Sequence, residues 1–228
     1  VIMSYESNIE MLKLALDLLE ELSDEVVFVG GTTTSLYVDE EISDDIRPTE
    51  DVDCVIEIVN KSDYKGFEEK LFKKGFKNDT RKDAPLCRYV YGELLTLDVM
   101  PANEEVLGFT NEWYLKGIEN KVTLDLESYK ISIFSLPYFL ASKVCAFKAR
   151  GLDDPRLSWD LEDITLVIDG IINFHLDLSK EDSNLQQYLS NFAKETKKEA
   201  TIIEAIESFL ANDPKRIERI VERFDSML

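Results

Sequence analysis

Every strand-like stretch of this chain lies before about residue 134, and helical spacing dominates from Ser135 onward. That partition predicts an α+β fold, with a mixed sheet in front and a helical bundle behind, divided as 1–134 and 135–228. In the first part, Ser7 and Glu10 form a capping-box pattern ahead of Leu12, Leu16 and Leu19, so a helix is expected to end near Ser23. Val26 to Val29 reads as a short strand that runs into Gly30-Gly31. Val52, Cys54, Ile56 and Ile58 alternate over a second strand, after an acidic loop from Asp39 to Glu50. A helix over Lys65–Lys74 is closed by Gly75. Arg88–Tyr91 and Leu94–Met100 form strands joined at Gly92-Glu93, and Lys121–Leu126 pairs with Lys130–Phe134. In the second part Ser135 caps a helix with Pro137 in its first turn and Gly151 at its end. Ser158 caps another through Ile168, and two or three more follow.

Two acids stand out against this frame. Asp51 and Asp53 are two apart on one strand, so their carboxylates share a face while Val52 and Cys54 pack behind. The same alternation turns Leu95, Leu97 and Val99 inward and Thr96 with Asp98 outward. If those strands are neighbours, three carboxylates converge and repel one another unless a cation lies between them. Hard oxygen donors with open positions suit Mg²⁺ or Mn²⁺, which bridges triphosphate oxygens in nucleotidyl transfer. Gly30, Gly31 and Thr32, between a strand and the next expected helix, offer close backbone approach and amides suited to an anion. Singly, each motif has a plain structural reading: a tight turn for the glycines, and surface acids for Asp-x-Asp.

Together, Val29-Gly30-Gly31-Thr32, Asp51-Val52-Asp53 and Leu97-Asp98-Val99 resemble the signature of the polymerase-beta nucleotidyltransferase superfamily. Arg47-Pro48-Thr49-Glu50-Asp51-Val52-Asp53 is similar to the branch that contains AbiEii-type toxins. The resemblance spans about 28–168 and implies a nucleotidyltransferase-like mixed sheet with flanking helices. It implies that Gly30, Gly31 and Thr32 hold a triphosphate, that Asp51 and Asp53 bind both metals, and that Asp98 completes one metal site. Lys143, Ala146, Arg150 and Gly151, followed by Asp160 and Asp163, match that branch's second pattern. By the same resemblance Lys143 contacts the triphosphate and Asp163 orients that lysine or the acceptor. From the residues alone, Lys143 and Arg150 fit a solvent-exposed helix face equally well, and the two acids fit a helix's first turn. Arg47 either assists at the phosphates or pairs with loop acids.

The implied activity is metal-dependent transfer of a nucleoside monophosphate from an NTP to an acceptor hydroxyl or phosphate, releasing pyrophosphate. The acceptor is a tRNA, a protein or a small molecule, and an antitoxin partner goes with the toxin branch. The alternative is a non-catalytic nucleotide-binding or interaction module on the same fold. A formal net charge of −20 disfavours generic binding along DNA or RNA. Basic residues do gather between Lys61 and Arg88, as a solvated helix face or as a landing surface for an anionic acceptor.

No run approaches the roughly 18–20 apolar residues of a membrane span, and the first residues carry no basic-then-apolar leader. Cys54, Cys87 and Cys145 fit neither a disulfide framework nor zinc spacing, so a cytoplasmic protein is expected. His175, the sole histidine, is read as structural, Trp113 and Tyr114 as buried, and Cys54 and Cys145 as core. No Walker-type phosphate loop occurs.

Overall fold

The computed structural model describes residues 4–39, 45–172, 174, 176 and 178–228. The chain forms two compact units, one of Val1–Thr33 with Arg47–Ser135 and one of Thr34–Ile46 with Leu136–Leu228.

The first unit is built on a sheet that, among the described residues, has seven strands in the order β3-β4-β5-β2-β1-β7-β6. These are β1 (Val26–Val29), β2 (Val52–Ile56), β3 (Lys77–Asn78), β4 (Arg88–Tyr91), β5 (Leu95–Pro101), β6 (Lys121–Leu126) and β7 (Tyr129–Phe134). The sheet is mixed: β2 runs parallel to β5 and β1 parallel to β7, and the other neighbours are antiparallel. The interior strand β1 is buried along its whole length, as expected of a strand covered on both faces.

Helix α1 (Ser4–Leu19) begins ahead of the expected Ser7 cap and gives way to a 3-10 turn over Glu20–Glu25. It buries Ile9, Leu12, Leu16 and Leu19 at helical spacing. Helix α2 (Lys61–Lys73) starts four residues earlier than its apolar pattern suggested, because Asn60 caps it by accepting from the Asp63 amide at 3.0 Å. It buries Tyr64, Phe67 and Leu71, and the Tyr64 hydroxyl donates to the Val99 carbonyl at 2.9 Å. Lys70 on its outer face pairs with Glu25 at 2.7 Å, and Lys74, the residue that caps its end, pairs with Glu20 and Glu21 at 2.6 and 2.7 Å. Two short helices, α3 (Glu104–Leu107) and α4 (Tyr114–Glu119), complete the unit. Trp113 is buried, and Tyr114 packs on Phe134 with ring centroids 6.2 Å apart.

The second unit consists of α5 (Leu136–Arg150), α6 (Trp159–Gly170), α7 (Ser183–Thr196), α8 (Ala200–Phe209) and α9 (Pro214–Asp225). Gly151 ends α5 where a Cβ would meet the Ser158 hydroxyl at 2.4 Å, and Ser158 then caps α6. Phe147, Phe192 and Phe224 stack edge to face through the core, with centroids 6.3 and 6.0 Å apart. Asp169, fully buried at the end of α6, receives Arg216 at 2.7 Å and Arg219 at 2.5 Å from α9.

The division of the chain differs from the expected one at Thr34–Ile46, which belongs with the helices. Tyr37 stacks on Phe139 with centroids 4.3 Å apart, and the Asp39 amide donates to the Gly170 carbonyl at 2.9 Å. His175 and Glu40–Asp44 of the acidic loop lie outside the described residues. Among the described residues, no helix is long and apolar enough to cross a membrane.

Candidate active site

Strand β1 delivers the Gly-Gly turn directly against an acid. Val29 pairs with Asp53, and the next residue, Gly30, turns with φ +77°. A Cβ on Gly30 would lie 2.0 Å from Asp53 Oδ2 and 2.7 Å from the Asp53 Cβ. Glycine is therefore required twice over, by backbone conformation and by the approach of a carboxylate. The expected helix after the turn is a six-residue 3-10 segment, Gly31–Leu36, so no α-helix opens at this point. The Thr33 hydroxyl donates to the Gly30 carbonyl at 2.9 Å and fixes the turn. Thr32 is fully buried.

The acids come next. Strands β2 and β5 are parallel neighbours with Asp53 opposite Asp98, so the two side chains share a face. Asp51 precedes β2, which begins at Val52, so it is not a strand residue as its spacing suggested. Loop contacts hold it instead. The Thr49 hydroxyl donates to the Asp51 carbonyl at 3.2 Å. Asn8 of α1, fully buried, donates to the Arg47 carbonyl and accepts from the Thr49 amide, both at 3.1 Å. Asp98 was expected to point outward, yet it is 7% exposed, and the reason is Arg88.

Arg88 lies on β4 directly opposite Asp98. Its Nε donates to Asp98 Oδ1 at 2.8 Å, and its Nη2 donates to Asp98 Oδ2 at 2.7 Å and to Asp51 Oδ2 at 2.6 Å. One guanidinium thus forks onto Asp98 and bridges to Asp51. In the sequence Arg88 stands at the start of a strand and the end of a basic stretch, with no motif that marks it as a site residue. The signal was present in the hairpin: with Tyr91 facing Leu95, counting outward places residue 88 against 98.

Burial pushes the Asp51 carboxyl up, the charge on Asp98 adds to this, and Arg88 and Arg47 oppose it. Hydrogen bonds to Asp98 hold Arg88 above its ordinary range against the cost of its own burial. Burial pushes the nearby Cys87 thiol up to about 12 and the Cys54 thiol well above its usual value, so both stay protonated and unreactive.

Three carboxylates around one face are the right donor type for a hard divalent cation. As the side chains stand, Asp51 and Asp98 are turned onto Arg88. Among the described residues, no three acidic, histidine or cysteine groups stand in an arrangement that could hold a metal ion. The donor chemistry fits Mg²⁺ or Mn²⁺, while in the arrangement seen here Asp51 and Asp98 hold the Arg88 guanidinium instead.

The second sequence pattern forms a separate cluster within the helical unit. Lys143 on α5 is 7% exposed and donates to Asp163 at 2.5 Å and Asp160 at 3.5 Å. Arg150 donates to both oxygens of Asp160, at 2.7 and 3.0 Å. Burial works to raise the Asp160 carboxyl, but the Arg150 bonds and the Lys143 charge outweigh it and hold that group below its ordinary range. Lys143 is therefore not on a solvent-exposed helix face. Arg150 is on one, and it reaches inward to Asp160 with most of its side chain in solvent.

No protein-family model matches the chain, and no curated protein matches it either. Among solved structures, an antigenic nucleotidyltransferase-like protein from Paracoccidioides brasiliensis is similar over 90% of this chain and 94% of its own. The TM-score is 0.54 and the identity 18%, a likeness of fold. In its mixed seven-stranded sheet, flanking helices and helical C-terminal half, the chain has a nucleotidyltransferase-like fold.

Proposed function

We propose that this protein transfers a nucleoside monophosphate from an NTP to an acceptor hydroxyl or phosphate at Asp51, Asp53 and Asp98. The observation that carries this reading is the meeting of Gly30, just past the end of β1, with Asp53 near the start of β2 and Asp98 midway along β5, with no space for a side chain at the turn. A turn of that kind lets a phosphate approach the main chain beside a carboxylate cluster. Asp51, Asp53 and Asp98 would hold Mg²⁺ or Mn²⁺. Bound there, the cation offsets charge on the triphosphate oxygens and lowers the pKa of an acceptor hydroxyl.

In the step itself an acceptor oxygen forms a bond to the α-phosphorus, the bond to the β-phosphate oxygen breaks, and pyrophosphate leaves with the electron pair. Asp98 assists in taking the acceptor's proton. Gly30, Gly31 and Thr32 would cradle the β- and γ-phosphates, in a turn that the Thr33 hydroxyl fixes. Arg47, whose charge reaches Asp51, adds positive potential. Lys143 belongs to the proposal as a triphosphate contact through the resemblance alone; within the helical unit it is held by Asp163 and Asp160. The acceptor class (tRNA, protein or small molecule), an antitoxin partner and a cytoplasmic location belong to the proposal through the AbiEii-type resemblance.

The test is α-labelled NTP with Mg²⁺ and fractionated acceptor pools, scored for label transfer and pyrophosphate. Transfer by wild type that disappears in Asp53→Ala supports the reading. Equal transfer by Asp51→Ala and Asp53→Ala, both folded, contradicts it.

A second reading has its own observation. Arg88 already neutralises Asp98 and Asp51 with three hydrogen bonds, as a resident cation would in a non-catalytic nucleotide-binding or interaction module. NTP binding that neither needs Mg²⁺ nor yields pyrophosphate would favour it.

A further inference from the structure

We propose that Arg88 is a resident counter-ion of the acid cluster, which a metal–nucleotide complex displaces and re-employs as a phosphate ligand. The inference rests on the reading of Asp51, Asp53 and Asp98 as the metal-holding acids. It assigns a binding role to a residue outside the motifs that suggested that reading.

The geometry makes the two cations competitors. Arg88 Nη2 lies 2.6 Å from Asp51 Oδ2 and 2.7 Å from Asp98 Oδ2, so a single nitrogen engages one oxygen from each of two acids that would hold the ion. Nε takes the remaining Asp98 oxygen at 2.8 Å. A carboxylate pair engaged in this way cannot also coordinate a metal in full. The backbone of Arg88 is fixed opposite Asp98 by strand pairing, whereas its side chain is 24% exposed and opens to solvent.

The displaced group cannot become neutral, since a guanidinium stays charged at any pH the fold survives. It therefore needs another anion within reach of the same strand. A metal ion alone takes the carboxylates and supplies no such anion. A metal–triphosphate complex would meet both needs at once: Asp51 and Asp98 would hold the metal, and phosphate oxygens would accept the planar fork that Asp98 releases. Metal and nucleotide should then bind with strong positive coupling, each improving the other's affinity by the same factor. Arg88 is the source of that coupling in this account. It also selects for a ligand carrying both charges and against a bare divalent cation.

The experiment measures Mn²⁺ binding by the loss of free-ion electron paramagnetic resonance signal, with Mn²⁺ alone and with α,β-methylene-ATP. Wild type, Arg88→Gln, Arg88→Lys and Asp53→Asn are compared, each checked for folding by thermal melting. Wild type should bind Mn²⁺ alone weakly, and the nucleotide analogue should tighten it by about tenfold or more, the worth of one charged hydrogen bond. Arg88→Gln should bind Mn²⁺ alone about tenfold tighter than wild type and lose most of the coupling. Arg88→Lys, which keeps the charge without the fork, should fall between the two, and it carries the test if Arg88→Gln does not fold.

Equal Mn²⁺ affinity in wild type and the Arg88 variants, with binding lost in Asp53→Asn, would overturn the role of Arg88 and leave the acid site standing. Absence of Mn²⁺ binding in folded wild type and folded Arg88→Lys, with or without nucleotide, would remove the metal reading and this inference with it.

Discussion

Replacing Gly30 by alanine tests how tightly the turn and the acid are built together. Two costs are expected. Holding a non-glycine residue at φ +77° costs about 1–2 kcal/mol. The new methyl would also stand 2.0 Å from Asp53 Oδ2 and 2.7 Å from the Asp53 Cβ. Rotating the carboxylate relieves the first contact but not the second, so strand β2 must also shift, a strain of the overpacking kind worth about 1–3 kcal/mol. The sum, about 2–5 kcal/mol, is a large fraction of the roughly 5–15 kcal/mol that holds an ordinary domain together. Urea unfolding of wild type, Gly30→Ala, Asp53→Gly and the double variant separates the terms. With Asp53→Gly as background the clash has no partner, and Gly30→Ala should cost only its backbone share, leaving a coupling of about 1–3 kcal/mol. A loss below about 0.5 kcal/mol for Gly30→Ala, or strict additivity in the double variant, would refute the reasoning.

Other consequences concern the helical unit. Asp163→Ala removes the 2.5 Å bond to Lys143, whose side chain is only 9% exposed, and should cost about 3–5 kcal/mol in urea unfolding. A loss near zero would mean that Lys143 is not held by that acid. Asp160 has its folded-state carboxyl below the ordinary 3.8, so it stabilises the fold above that pH. That contribution falls away as pH drops from about 4 through the lowered value, and Asp160→Asn should flatten the acid limb of stability measured between pH 6 and pH 3. Asp169→Asn weakens the bonds from Arg216 and Arg219 to a fully buried carboxylate. It should lower stability by about 2–3 kcal/mol and speed hydrogen exchange in α9 more than in α5.

The fold was largely legible because every strand pattern ends before Ser135, only helical spacing follows it, and the turn residues mark most strand ends. Gly92 and the Glu127-Ser128 pair bound the two hairpins, for example. Alternation within Val52–Ile56 and Leu95–Pro101 fixes which acids share a face, but it does not say which strands are neighbours. That depends on β5 lying beside β2 in the sheet order. Arg88 was missed for a related reason: a cross-strand partner is defined by the register of a hairpin, and the expected two-residue turn is a three-residue one, Gly92 to Leu94. Asp51 was placed on a strand because period two was extended one residue past the point where pairing begins. Lys143 looked like an exposed lysine because its partners, Asp160 and Asp163, come from the next helix. Thr34–Ile46 gave no sign of belonging with the helices, since the Tyr37–Phe139 contact joins residues a hundred positions apart.

The most direct test of the central claim is calorimetric titration of ATP, GTP, CTP and UTP with Mg²⁺ into wild type and into Asp51→Ala/Asp53→Ala. Wild type is expected to bind at least one nucleotide in a Mg²⁺-dependent way, and a double variant that remains folded is expected to lose that binding. Binding of equal strength in the double variant, or binding indifferent to Mg²⁺, would contradict the claim.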